Sequence, residues 1–276
     1  MNILITGVHG FVGSNLVKAL VPEHTIFGLD IVAPKKEGVK KTFFWEDLPS
    51  TNLGQTQLLD FPKIDAIIHL AGKAHDTRNK STADVYFRVN TGLTQRIFDW
   101  FLTSKSAKKF IFFSTVKSAA DRVEGEFLTE ECVPTPVGPY GESKIKAEDY
   151  IIGHFAPEAL ERPYHNFNDS DSIIKDKQVY IMRPCMIHGP GNKGNLNLLY
   201  GVVSKGIPWP LGAFENRRSF TSIGNLCVVI DGFLTKNVPS GIYHMGDDEA
   251  LSTNELIQVI CEALGKKAHI WCIPKG

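Results

Sequence analysis

The sequence predicts an α/β fold, a Rossmann-type doubly wound parallel sheet with a smaller C-terminal lobe. Three observations carry this. Short runs rich in valine, isoleucine and phenylalanine alternate with longer segments of helical period, the first run passes straight into a glycine-rich turn, and a Gly/Pro/Asn-rich stretch at 189–197 marks a change of regime. Strands buried on both faces read as unbroken apolar runs, and right-handed crossovers wind such strands into one sheet.

Residues 2–6, 25–29, 66–70 and 110–114 read as strands with helices between them, and 42–45 is a further strand candidate. A helix follows from about 140 to 154, started by Pro139. The polar stretch 166–171 reads as a loop, and 179–183 as a strand. Beyond Pro184 the pattern gives helices at 195–204 and about 223–234, a strand at 242–245, and a helix at 252–264 with Ser252 or Thr253 as N-cap and Gly265 as C-cap. The expected organisation is a dinucleotide-binding domain at 1–183, with about 219–246 returning to it, and a substrate-binding lobe from 184–218 and 247–276.

A chain of 276 residues with 43% hydrophobic side chains can bury a large core. Basic and acidic side chains balance at 30 each, so no net field draws the protein to nucleic acid or an anionic membrane, and neither is an expected partner. A strand entered at Asn2 leaves no room for a signal peptide, and no run approaches the roughly 20 apolar residues of a membrane span, which gives a cytoplasmic expectation. Cys132, Cys185, Cys227, Cys261 and Cys272 are scattered without C-x-x-C spacing, so they read as reduced packing residues with no metal site.

The turn Thr6-Gly7-Val8-His9-Gly10-Phe11-Val12-Gly13 joins the first strand to the first helix, where glycines let backbone N–H groups approach a pyrophosphate at a helix N-terminus. Asp30 closes the second strand, where a carboxylate accepts from both ribose hydroxyls of an adenosine and repels a 2′-phosphate. NAD is therefore the expected cofactor. Lys35 and Lys36 follow and would soften that repulsion, which keeps NADP as the alternative. Asp47, with Leu48 beside it, is a candidate for the adenine edge; a solvated loop acid is the other reading of Asp47.

Tyr140-Gly141-Glu142-Ser143-Lys144 places a phenol and an ammonium at i and i+4 on one helix face. A fixed cation and a positive nicotinamide ring both favour phenolate, so Tyr140 can take or return the proton of a sugar hydroxyl. Lys144 can also hold the nicotinamide ribose. Alone, such a pair is common on solvated helix surfaces; its place after the fifth strand of a glycine-loop pattern gives it meaning.

With these residues in view, the sequence resembles the extended short-chain dehydrogenase/reductases of the NAD-dependent epimerase/dehydratase family, in particular nucleotide-sugar 4-epimerases, 4,6-dehydratases and 4-ketoreductases. The resemblance covers nearly all of the chain. It rests on Thr6–Gly13, Asp30, His69-Leu70-Ala71-Gly72, Asn90, Ser114-Thr115, Tyr140 with Lys144, and Arg183-Pro184. It implies that Thr115, 25 residues before Tyr140, is the hydroxyl partner of the tyrosine, with Ser114 the alternative. It implies that Leu70, Ala71, Gly72 and Lys73 border the pyrophosphate and nicotinamide, that Asn90 braces that loop, and that His69 is a core residue. Dehydratases of the family carry an Asp-Glu pair after the catalytic threonine; Val116-Lys117-Ser118 stands here instead.

The resemblance thus implies NAD-dependent C4 epimerisation of a nucleotide sugar, UDP-linked by expectation, serving polysaccharide or lipopolysaccharide precursor synthesis. A 4-keto nucleotide-sugar reductase is the alternative, and a non-catalytic dinucleotide sensor a third reading. Arg218 matches an arginine used on the nucleotide diphosphate, with Arg217 its rival, and Asn195 and Leu196 fall where uracil and phosphate contacts begin. Family members usually continue past Ile273-Pro274-Lys275-Gly276, so the substrate lobe is expected to be incomplete or abbreviated there. A homodimer built on a bundle containing the Tyr140 helix is also implied.

Overall fold

The central strands of the main sheet are apolar runs, and the burial follows from it: Ile3, Leu4, Ile5, Ala66, Ile67, Ile68, Phe110, Ile111 and Phe112 are wholly removed from solvent. The computed structural model of the chain describes residues 1–49, 61–74, 82–192 and 194–273. Lys193, within the glycine-rich run expected to open the second lobe, and residues 274–276, at that lobe's expected end, lie outside the described residues. In chain order the first elements are β1 (Asn2–Thr6), α1 (Phe11–Leu20), β2 (Thr25–Leu29), β3 (Val39–Phe43), β4 (Ala66–His69), α2 (Ala83–Tyr86), α3 (Leu93–Thr103) and β5 (Lys109–Phe113). Next come α4 (Val116–Ala119), α5 (Gly138–Phe155), β6 (Gln178–Pro184), β7 (Met186–His188), α6 (Asn195–Ser204) and β8 (Arg218–Ser222). The last are α7 (Ile223–Thr235), β9 (Gly241–Met245), β10 (Ala250–Leu251) and α8 (Thr253–Ala263).

The chain divides into two compact units, Met1–Pro184 with Leu226–Met245, and Cys185–Asn225 with Gly246–Gly276. The first holds a seven-stranded sheet of order β3-β2-β1-β4-β5-β6-β9, parallel throughout. Strand order reverses between β1 and β4, and in open sheets of this kind the crevice at the carboxyl ends of those strands takes the ligand. The parallel α/β fold expected from the sequence is the one observed. Lys109 ties the start of β5 to the end of α7, its ammonium donating to the carbonyls of Phe233, Leu234 and Lys236 at 2.7–2.9 Å. The unpaired carbonyls of a helix C-terminus make a natural seat for a cation.

One charge pair is sealed inside this unit. Arg183 on β6 and Glu148 on α5 are both fully buried, with Nη2 2.5 Å from Oε2 and Nε 3.2 and 3.1 Å from Oε1 and Oε2. The Ser114 hydroxyl donates to Oε1, and the Ser118 hydroxyl lies 2.5 Å from the same oxygen. Arg183 Nη1 sits 3.3 Å from His244 Nε2, whose other ring nitrogen faces the Leu128 carbonyl at 3.1 Å. Burial holds the His244 pKa below its ordinary value, consistent with a neutral ring that accepts from Arg183 and donates to Leu128.

In the second unit β8 lies between β7, parallel to it, and β10, antiparallel. Ser252 caps α8: its hydroxyl accepts the Glu255 amide at 3.1 Å while the Glu255 carboxylate accepts the Ser252 amide at 2.7 Å. Val203, Ile257 and Cys261 form a small core between α6 and α8. The sequence pattern did not reveal this three-stranded sheet, because its strands run only two to five residues and Arg218 and Ser219 are exposed. The candidate strand at 42–45 is also corrected: β3 ends at Phe43, and a 3₁₀ turn, Trp45–Asp47, follows because Asp47 captures the Phe44 amide at 2.8 Å.

Removing one partner of a sealed pair strands the other charge. Glu148→Gln is expected to lower unfolding free energy by about 3–5 kcal/mol in urea titration, with part of the loss recovered in the Glu148→Met/Arg183→Met double variant.

Candidate active site

The β1–α1 turn is shaped by what its glycines permit. Gly7 has φ +68°, and a β-carbon there would sit 3.1 Å from the Ala71 nitrogen; at Gly13 a β-carbon would come within 2.6 Å of the Gly7 carbonyl oxygen. Gly10 is the N-cap of α1 and offers no side chain to its first amides, so the backbone N–H groups at Phe11 and Val12 begin the helix without side-chain capping. Such a helix start, backed by the macrodipole, is a seat for an anion. Asp30, at the end of β2, is fixed at the rim: Oδ2 accepts the His9 amide at 3.1 Å and Oδ1 the Ile31 amide at 2.8 Å. Lys36 donates to Val8 O at 3.3 Å and to Ser14 Oγ at 2.5 Å, so its ammonium is engaged by the loop.

The facing wall is residues 70–73. Thr6 Oγ accepts the amides of Leu70 and Ala71 at 3.1 and 2.9 Å and lies 2.7 Å from His69 Nδ1. His69 Nε2 lies 2.9 Å from Thr94 Oγ, whose own proton goes to the Asn90 carbonyl at 2.6 Å. The ring therefore carries its proton on Nε2 and accepts from Thr6. Burial first, then the nearby Lys144 charge, holds the His69 pKa well below its usual value, so the ring is neutral. Asn90 closes the wall: Oδ1 accepts the Lys73 amide at 2.7 Å, and Nδ2 donates to Lys73 O at 3.1 Å and Ser143 Oγ at 2.9 Å. Ser143 in turn donates to Tyr140 O at 2.9 Å. A β-carbon on Gly72 would press on Asn90 Oδ1 at 3.0 Å and Lys144 Nζ at 3.2 Å.

Tyr140 and Lys144 stand one turn apart on α5, whose second residue is Pro139. The Thr115 side chain stands close enough to the Tyr140 phenol to favour its ionised form. Thr115 is held by capping α4, its Oγ accepting the Lys117 amide at 3.3 Å. Burial pushes the Tyr140 phenol up, the Thr115 hydrogen bond pulls it down, and nearby Tyr86 pushes it up again. Lys144 donates to Phe113 O at 2.7 Å, and burial brings it down to about 8 against the opposing pull of Glu148. The expectation that Lys144 lowers the phenol is therefore not met by the chain alone, because its ammonium is turned to the Phe113 carbonyl.

The remaining candidates divide. Ser114 points into the Glu148 carboxylate, leaving Thr115 as the hydroxyl at Tyr140. Asp47 is spent on the Phe44 amide, and Leu48 is packed in the core at 5% exposure. In the second unit, Asn195 and Leu196 open α6 after the uncapped Gly194. The Arg218 side chain is exposed and makes no hydrogen bond or ion pair among the described residues, while the Arg217 guanidinium lies 3.4 Å from the Ala250 carbonyl. Sequence reasoning missed Tyr86, whose ring stands edge-on to Tyr140 at 6.5 Å, and the bonded roles of Thr94 and Ser143; no local motif marks them.

Because the Thr115 donor favours the phenolate, Thr115→Val is expected to raise the Tyr140 pKa above its already elevated position. Tyrosine Cζ chemical shifts followed against pH check this, with Tyr140→Phe assigning the resonance; an unmoved titration would contradict the role given to Thr115.

Residues 3–246 match the model of the NAD dependent epimerase/dehydratase family. The chain is 29% identical to the UDP-glucose 4-epimerase of Vibrio cholerae over 98% of its own length and 80% of that protein. It is 26% identical to an N-acetyl-alpha-D-glucosaminyl-diphospho-ditrans,octacis-undecaprenol 4-epimerase of Escherichia coli O157:H7, over 99% and 75%. Its fold superposes on the crystal structure of the Thermotoga maritima UDP-glucose 4-epimerase with UDP-glucose at a TM-score of 0.73 and 20% identity, covering 100% of this chain and 87% of that one. The glycine cradle, the rim carboxylate and the Thr115–Tyr140 contact therefore lie in a chain that belongs to the NAD-dependent epimerase/dehydratase family.

Proposed function

We propose that the protein is an NAD-dependent 4-epimerase of a nucleotide sugar, UDP-linked, working through a transient 4-keto sugar. The observation that carries this reading is the Thr115 side chain set to pull down the Tyr140 phenol, on a chain with a glycine cradle and with Val116-Lys117-Ser118 in place of dehydratase acids. The cradle fits a dinucleotide: uncapped amides at the start of α1 for the pyrophosphate, Asp30 for the adenosine ribose, and a wall at 70–73 with no side chain at Gly72. NAD held there supplies a reversible hydride acceptor at the sugar C4. Tyr140 takes the proton of the C4 hydroxyl as that carbon is oxidised and returns it after the keto sugar has presented its other face. Thr115 stabilises the phenolate by donating to it, while Lys144, whose ammonium donates to the Phe113 carbonyl, holds the nicotinamide ribose. Arg218 meets the substrate diphosphate as a guanidinium fork, with Asn195 and Leu196 beside the base.

The same reading takes the protein as a homodimer through helices including α5, acting in the cytoplasm on precursors of surface polysaccharides. No helix among the described residues is long and apolar enough to cross a membrane.

Denaturing freshly purified protein and counting the released dinucleotide tests the reading, because an epimerase regenerates its cofactor in place. Close to one NAD per chain is expected, and Tyr140→Phe is expected to lose about 10²–10⁴-fold in epimerase turnover with that NAD retained. An empty site that consumes added NADH or NADPH with a 4-keto nucleotide sugar would replace the epimerase by the reductase.

A further inference from the structure

Among the described residues only two buried side-chain polar atoms lack a hydrogen-bond partner, His24 Nε2 and Asn254 Oδ1. His24 lies in the short turn between α1 and β2, and its imidazole is 6% exposed. Its Nδ1 has the Met1 nitrogen as a neighbour at 3.5 Å, whereas Nε2 faces Asp231 Oδ1 on α7 at 3.9 Å, beyond hydrogen-bond reach. Leaving a ring nitrogen dry and unpaired costs stability unless something occupies the gap. The Glu23 carboxylate completes the surroundings: one donor atom from each of Glu23, His24 and Asp231 falls within 4.8 Å of the others.

We propose that Glu23, His24 and Asp231 form a binding site for a divalent cation of the zinc class, clamping the α1–β2 turn to α7. One imidazole and two carboxylates suit a borderline ion. Donors about 2.0–2.1 Å from a tetrahedral ion stand roughly 3.4 Å apart, so the three atoms need to close by at most about 1.5 Å. Glu23 is exposed and the Asp231 side chain is 49% exposed, so both can make that movement by changing rotamer. Neither carboxylate is paired to a lysine or arginine among the described residues, so no resident cation has to be displaced. Asp231 also lies near the C-terminal end of α7, where the helix dipole favours positive charge.

The ion's place in the fold sets its role. His24 precedes β2, whereas Gly7 and Asp30 follow β1 and β2, so the clamp sits at the opposite ends of the parallel strands from the glycine cradle. It stabilises the first unit and takes no part in the chemistry.

Full-length protein stripped with chelator and titrated calorimetrically with zinc chloride tests the site, with cobalt(II) as a visible-absorbing probe of geometry. One ion per chain is expected, with a raised melting temperature. His24→Gln should abolish binding, and Asp231→Asn, a change at a half-exposed side chain that leaves the fold intact, should weaken it at least tenfold. NAD content should be unchanged in both variants. No binding at millimolar zinc, or equal affinity in wild type and Asp231→Asn, would overturn the proposal.

Discussion

The buried pair between Glu148 and Arg183 is the interaction on which the geometry of the reacting end depends. Glu148 lies one helical turn past Lys144 and two past Tyr140, so the residues that face the site and the residue that anchors their helix share one face of α5. The same carboxylate takes Ser114 at the end of β5 and approaches Ser118 in α4, the two residues that flank the Thr115 corner. One sealed charge thus fixes α5 against β6 and orients the turn that delivers Thr115 to the phenol. Exposed ion pairs such as Lys117 with Asp121 have no comparable leverage, since water competes for both partners.

A second chain of bonds links the wall at residues 70–73 to the same helix. It runs from Thr6 through His69 and Thr94 to Asn90, and from Asn90 through Ser143 to the Tyr140 carbonyl. Every donor in it has one acceptor, which is possible only because His69 is neutral and holds a single tautomer. The Asn90 segment, Phe87–Gly92, is a π-helical stretch joining α2 to α3, the kind of local widening that recurs at functional sites. It turns the Asn90 amide onto the Lys73 backbone.

Much of this was legible in the sequence, for identifiable reasons. The central strands of the first unit are continuous apolar runs, and the loop glycines are demanded by conformation at Gly7 and by contact at Gly13, so the run and the spacing both survive as pattern. Tyr140 and Lys144 share a helix face by simple periodicity. Less was legible where the decisive partner is distant in the chain. Nothing near Ser114 says that it will turn to Glu148, and nothing near Lys144 says that its ammonium will choose the Phe113 carbonyl. The short strands β7, β8 and β10 carry no alternation long enough to read. Asp47 was open to two readings because a turn-capping acid and a cofactor-facing acid look alike in sequence.

The central claim is that one carbon is oxidised and reduced inside one site, with Tyr140 handling only the hydroxyl proton. The most direct measurement is to run the reaction in deuterium oxide on whichever UDP-sugar the protein turns over and examine C4 of the product by proton NMR. Full retention of the original hydrogen at C4 is the outcome expected when the carbon-bound hydrogen never meets solvent. Deuterium at C4 would contradict it, placing the exchange at carbon and removing Tyr140 from the role assigned to it.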